Sequence, residues 1–253
     1  MDTKICSEIL ALSTAIRTTV LDDVNHAVEG LKCDLDGVLK YSTSIKQWLK
    51  PVVDLSNFHV YPMNGITQGL DWWFDKERRS VTMERGDYQW IHPKAGTNRI
   101  HYISVPSAID GNFVDIPTEI PTAVDLAYVG STQIKKIELP NNVEYVFYSL
   151  SKPFGVRNIR TGWIFTKEPD QRLDAITNSA KYYNYYANSI AETIINKFDI
   201  DYIWKTLIDK QTEVCNEYNF KPSDSVWLAT TDNPAYDKFK RGDVNRLCLA
   251  PCY

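Results

Sequence analysis

The sequence has no block of basic residues, and no apolar run comes close to the roughly 18 residues that a membrane-spanning helix requires. With 28 Lys and Arg against 32 Asp and Glu the net charge is −4, so nothing along the chain is suited to neutralising a phosphate backbone. Neither nucleic acid nor a membrane is therefore an expected partner. A secretory leader is also missing: Asp2 and Glu8 stand where a signal peptide places basic and then apolar residues, so a cytoplasmic location is expected. Five cysteines are too few, too scattered and odd in number for a disulfide framework. Cys248 and Cys252 are close together, but no second pair completes a zinc site, and His26, His59, His92 and His101 show no metal spacing. Internal repeats and low-complexity segments are absent.

What remains is a globular composition, 43% hydrophobic and 24% charged, in 253 residues that could form one large domain or two unequal lobes. Residues 1 to about 50 read as helical, with Ile5, Ile9, Leu12 and Ile16 at steps of three and four and no proline before Pro51. From Pro51 to Pro140 the texture changes to short apolar runs broken by Gly, Pro and Asn. Expected strands are His59–Met63, Asp87–Ile91, Arg99–Val105, Thr122–Val129 and Glu144–Leu150, with one helix opening after Gly65. A helical stretch of about fifty residues follows Lys167, beginning at Pro169 and Asp170. Ser225–Thr231 and Asn245–Ala250 read as strands flanking a short helix from Tyr236 to Lys240. Strands separated by helices and loops point to an α/β sheet. The tyrosines Tyr182, Tyr183, Tyr185 and Tyr186 read first as a packed helix at a lobe hinge.

The segment from Ser149 to Trp163 carries the chemistry. A strand runs directly into a polar loop holding Lys152, two serines, Arg157, Arg160 and two glycines. A lysine at a strand end, followed eight residues later by Arg160, suits an amine that bonds an aldehyde whose attached phosphate needs a guanidinium. The arginine fork can hold two phosphate oxygens at once, and Ser149 and Ser151 add hydroxyl donors.

This segment resembles the lysine signature S-x-S-K-x-x-G-x-x-N-x-R-x-G of fold type I, pyridoxal-phosphate-dependent aminotransferases of classes I and II. Ser149, Ser151, Lys152, Gly155, Asn158, Arg160 and Gly162 match it, and Thr161 departs from the usual small apolar residue. The resemblance extends upstream and downstream in the family's order. Asp125 to Tyr128 looks like D-x-A-Y, which implies that Asp125 holds the cofactor's pyridine nitrogen protonated and Tyr128 bonds its phenolic oxygen. Gly65, Ile66 and Thr67 resemble the glycine turn that opens the phosphate-binding helix. Asn245 to Pro251 resembles the strand whose arginine clamps the substrate α-carboxylate, which carries over onto Arg246.

Two positions depart from the pattern. Ala108 stands where an asparagine normally bonds the phenolic oxygen, leaving Ser107 or Asn112 as substitutes. The usual position of the ring-stacking aromatic falls on Ala95 or Gly96, so Trp90 and His92 become the candidates, with His92 favoured. Family members are also longer. Only 87 positions separate Gly65 from Lys152, implying that at least one crossover helix and strand is shortened or absent.

The resemblance thus implies a mostly parallel sheet with flanking helices plus a small, reduced α+β lobe. The division would be a cofactor domain over residues 51–199 and a small lobe from residues 1–50 and 200–253. It further implies pyridoxal 5'-phosphate on a Lys152 Schiff base, an amino acid and a 2-oxo acid as substrates, a homodimer, and Lys152, Asp125 and Tyr128 as catalytic residues. Aminotransfer is the expected reaction. Elimination, cyclisation or racemisation on the same fold, or a cofactor-binding homologue without activity, are the alternatives.

Overall fold

The computed structural model describes residues 41–88 and 95–253. The first expected helix, apart from its last turns, and the candidates Trp90 and His92 lie outside the described residues. Six strands form the larger sheet: β1 (His59–Asn64), β2 (Ser80–Met83), β3 (Arg99–Ser104), β4 (Thr122–Asp125), β5 (Val143–Tyr148) and β6 (Thr161–Thr166), in the order β1-β6-β5-β4-β3-β2. Strands β2 to β5 are mutually parallel, and β6 runs antiparallel to both of its neighbours. This is the mostly parallel α/β sheet expected from the sequence. Among the described residues no helix lies between β2 and β5, so extended segments carry these crossovers where helices usually do. The shortening expected from the Gly65-to-Lys152 spacing falls here.

Several expected strands end sooner than their apolar runs. Thr122–Val129 is strand only to Asp125, because Leu126 onward forms a turn that packs inward, Leu126 and Val129 being fully buried. Asp87 and Tyr88 belong to a loop, the strand having already formed at Ser80–Met83. Strand β6 was read as part of the polar lysine loop. Its residues Thr161 to Thr166 are all buried, and Trp163 stacks on Tyr148 of β5 at 6.0 Å between ring centres.

Helices α1 (Tyr41–Leu49), α2 (Gly65–Lys76) and α3 (Tyr185–Lys197) complete the main core. Helix α1 buries Ile45 and Leu49 and packs on α3 and β1. Helix α2 sends the fully buried Trp73 among Tyr102, Tyr145 and Phe147 of the sheet. Apolar burial of this kind contributes about 25 cal/mol per Å², and rings of this size contribute most. Of the tyrosine cluster, Tyr183 and Tyr185 pack together at 4.5 Å, whereas Tyr182 and Tyr186 are exposed. The first reading of four packed rings is therefore corrected, since Tyr182 precedes α3 in a loop instead of lying on its buried face.

A second sheet, in the order β7-β8-β10-β9, is built from β7 (Lys221–Pro222), β8 (Leu228–Thr231), β9 (Lys240–Arg241) and β10 (Val244–Cys248). It shares a smaller core with α4 (Tyr202–Tyr218), including Val214, Phe220, Phe239 and Leu247. The buried amide of Gln211 on α4 donates to the carbonyls of Ser223, Ser225 and Leu228, which fixes the helix to the loop leading into β8.

One contact sets the geometry of the site. Gly65 opens α2 with φ +79°, and Gly162 of β6 lies against it: a Cβ on Gly162 would stand 2.7 Å from Gly65 Cα. Gly162→Ala is expected to destabilise the fold by about 1–3 kcal/mol through overpacking. A lower urea midpoint with an unchanged slope checks this.

Candidate active site

The ends of β3, β4 and β5, the start of α2 and the tip of the second sheet meet at one place. Asp125 closes β4, 1% exposed, with one carboxylate oxygen accepting from Tyr102 Oη at 2.7 Å and the other from Ala127 N at 2.8 Å. Burial pushes its carboxyl up to about 6, the charge of Lys152 and the Tyr102 bond holding it from rising further, while nearby Asp87 adds to the rise. Asp87 accepts from Ser104 N at 3.1 Å and Ser104 Oγ at 2.5 Å, and Ser104 is the β3 residue paired with Asp125.

Lys152 follows β5. Its Nζ stands 4.2 Å above the ring of Tyr128 and 5.7 Å from that of Tyr88. Tyr128 is buried, and its hydroxyl accepts from Arg246 Nη1 at 3.1 Å. Burial alone would raise the Tyr128 hydroxyl, but the charges of Arg246, Lys152 and Arg241 outweigh it and bring it below the ordinary phenol value. Arg246 enters from β10 of the second sheet and also donates to Ala108 O at 2.6 Å, while its buried Nε has no partner.

On the other side of Lys152 lies the start of α2. Gly65 and Ile66 are buried there, the first turn holds no acidic residue, and the Asn64 side chain does not cap it, Gln68 Oε1 accepting only from Asn64 N at 2.7 Å. The free N–H groups of such a turn favour an anion. Arg160, held at φ +62°, lays its guanidinium along the turn and donates to Asn64 O at 3.0 Å. Its Nη2 would lie 2.6 Å from a Cβ on Gly65. Thr67 Oγ1 meets Tyr88 Oη at 3.2 Å. Ser149 Oγ accepts from Ser151 N at 3.3 Å, and Ser151 Oγ is buried without a partner. A buried hydroxyl without a partner and a guanidinium without a carboxylate partner among the described residues form a cradle that an anion would fill.

The structure thus brings together Gly65, Ile66, Thr67, Asp125, Tyr128, Ser149, Ser151, Lys152, Arg160 and Arg246. Ser107 lies in the turn whose Ala108 carbonyl accepts from Arg246. The Ser107 hydroxyl accepts from Ile109 N at 3.0 Å within its own turn. Asn112 is engaged too, donating to Asp110 Oδ2 at 2.9 Å and accepting from Asp224 N at 3.0 Å. The turn that carries Ala108 is thereby tied to the second sheet's first loop. Sequence reading missed Tyr88, half-buried beside Lys152 and Thr67. Because β2 ends at Met83, the chain returns to the site immediately after Gly86 and Asp87, earlier than the spacing used to count toward Ala95. Arg241, half-buried on β9 with Nη1 donating to Asp87 O at 3.1 Å, was missed as well.

No protein-family model matches the chain, and no curated protein matches it in sequence. Solved structures are similar to it. A putative aminotransferase from Silicibacter pomeroyi aligns with a TM-score of 0.67 at 13% identity, over 97% of this chain and 91% of that one. Histidinol-phosphate aminotransferase from Sinorhizobium meliloti, solved in complex with pyridoxal-5'-phosphate, aligns at 0.62 and 10% identity, over 93% and 84%. The PLP-bound C-S lyase from Staphylococcus hominis aligns at 0.65 and 11% identity, over 89% and 76%. The chain therefore has the fold of the fold type I pyridoxal-phosphate enzymes that its lysine loop resembles.

Proposed function

We propose that this chain is an enzyme that holds pyridoxal 5'-phosphate and acts on amino acids as an aminotransferase. The observation that carries the reading is Lys152 Nζ, 4.2 Å over Tyr128, between buried Asp125 and an uncapped helix start lined by Arg160. The residues fit the cofactor group by group. The cradle of Gly65, Ile66, Thr67, Ser149, Ser151 and Arg160 would hold its phosphate, the buried Ser151 Oγ supplying a donor that has no partner within the protein. Asp125 would hold a proton at the pyridine nitrogen, and Tyr128 would hydrogen-bond the phenolic oxygen. Tyr88 would cover the ring, a role for which the sequence offers His92 or Trp90 as candidates. When bound, the cofactor supplies an aldehyde and an electron-withdrawing ring.

The chain's own side chains do the rest. Lys152 would hold the cofactor through its aldehyde, and its amine, once freed, would be the base placed to take the proton from the substrate Cα. Arg246 holds the α-carboxylate, fixing which bond at Cα stands where it can break. In the same reading the chain is a homodimer, with a cofactor domain over residues 51–199 and a smaller lobe from residues 1–50 and 200–253.

Purified protein mixed with pyridoxal 5'-phosphate is expected to gain a visible absorption band that an active amino acid bleaches, with a 2-oxo acid released and no free ammonia. Similarity to a C-S lyase supports elimination as the second reading, and ammonia released together with the oxo acid would select it. No band, and no oxo acid from any of the twenty common amino acids, would contradict both.

A further inference from the structure

Arg241 belongs to the two-residue hairpin of β9 and β10, whose tip carries Gly242 and Asp243. That tip is pressed onto the segment leading to Tyr88: a Cβ on Gly86 would stand 2.2 Å from Gly242 N. With the hairpin so placed, Arg241 Nη1 reaches Asp87 O, one residue before the Tyr88 ring. Tyr88 and Tyr128 are the two rings beside Lys152 Nζ, so Arg241, next to the first, and Arg246, bonded to the second, both lie at the amine. The Arg241 charge is felt by Arg246, Tyr128, Asp87 and Tyr88.

Neither Arg241 nor Arg246 has a carboxylate among the described residues within 4.0 Å. Asp87, whose charge partly offsets that of Arg241, has both oxygens bonded to Ser104. Two guanidiniums therefore stand at the site with no carboxylate in ion-pair contact among the described residues, and each makes the other's charge costlier, as the lowered Arg241 value reflects after burial itself. Arg160 sits apart at the start of α2, so the cofactor's phosphate does not account for this pair.

We infer that the substrate is an amino acid with an acidic side chain, Arg246 taking its α-carboxylate and Arg241 taking the second anionic group. The inference rests on the amino-acid reading above and names the substrate class of that site. A second charge-assisted bond of this kind is a tenfold or larger gain in affinity.

The probes are succinate, with two carboxylates, and butyrate, with one, titrated calorimetrically into the full chain with and without pyridoxal 5'-phosphate. Succinate is expected to bind the loaded protein at least tenfold more tightly than butyrate, and Arg241→Gln to reduce that preference to within about twofold. Arg241→Lys keeps the charge and is expected to retain an intermediate preference. Equal binding of the two probes by the unaltered protein overturns the inference even if a variant fails to fold, as does an undiminished preference in Arg241→Gln. Absence of the visible band would overturn the cofactor reading instead, and the calorimetric comparison would still report on the arginine pair.

Discussion

Lys152→Ala is expected to abolish the visible band formed with pyridoxal 5'-phosphate and to lower 2-oxo acid production by at least about 10²–10⁴-fold, the range that one positioned proton-transfer group supplies. Lys152 is half-buried, and its amine rests over two rings without an ion pair among the described residues. Removing it costs little packing, so the fold and its thermal midpoint should be nearly unchanged. A thermal melt alongside the absorption spectrum separates lost chemistry from lost structure. Lys152→Arg retains the charge but cannot bond an aldehyde, and it should be as inactive as the alanine variant.

The second large effect concerns Asp125 and has two parts that move in opposite directions. In the loaded enzyme, Asp125→Asn removes the carboxylate that would keep the pyridine nitrogen protonated, and turnover should fall by about 10²–10³-fold, as for loss of one electrostatic group at a reacting centre. In the protein without cofactor the carboxylate is a liability. Its folded value of about 6 lies above the ordinary 3.8, so the folded state binds the proton more tightly than the unfolded chain. Stability then falls as pH rises between about 4 and 6 and levels off above that window. The difference of about two units corresponds to about 3 kcal/mol. Asp125→Asn lacks this term. The variant also loses one of two acceptor oxygens, a cost that does not change with pH. Urea denaturation of both proteins from pH 4 to pH 7 checks the prediction: the stability of the unaltered protein relative to the variant should decline by about 2 kcal/mol over that range. A flat difference would mean that Asp125 is not a buried, cofactor-awaiting carboxylate. Such a site stores instability that a bound cationic ring would relieve, which is how binding the cofactor would stabilise the fold.

Residues whose role depends on local sequence order were the most legible. The lysine loop places Ser151 and Lys152 in the turn after β5 and Arg160 at the end of a short 3-10 helix just before β6, and the start of α2 lies where Gly65 to Thr67 indicated. Strands with alternating or β-branched runs, such as Arg99–Ser104, were legible for the same reason. What escaped depended on where a strand ends. The Thr122–Val129 run looked like one strand because its apolar residues are buried both in β4 and in the turn beyond it. Tyr88 and Arg241 escaped because long-range packing brings them in. The contact between Gly86 and Gly242 joins segments more than 150 residues apart, and neither glycine has a local signature that points to the other. Ser107 illustrates a competition that short polar side chains offer wherever the backbone bends: its hydroxyl oxygen accepts from Ile109 N in its own turn.

The account stands on Lys152 as the residue that bonds the cofactor. Protein incubated with pyridoxal 5'-phosphate, treated with borohydride to fix any carbon–nitrogen bond and digested should yield one modified peptide by mass spectrometry, with the added group on Lys152. Modification spread over surface lysines such as Lys135 and Lys197, with Lys152 unmodified, would contradict it.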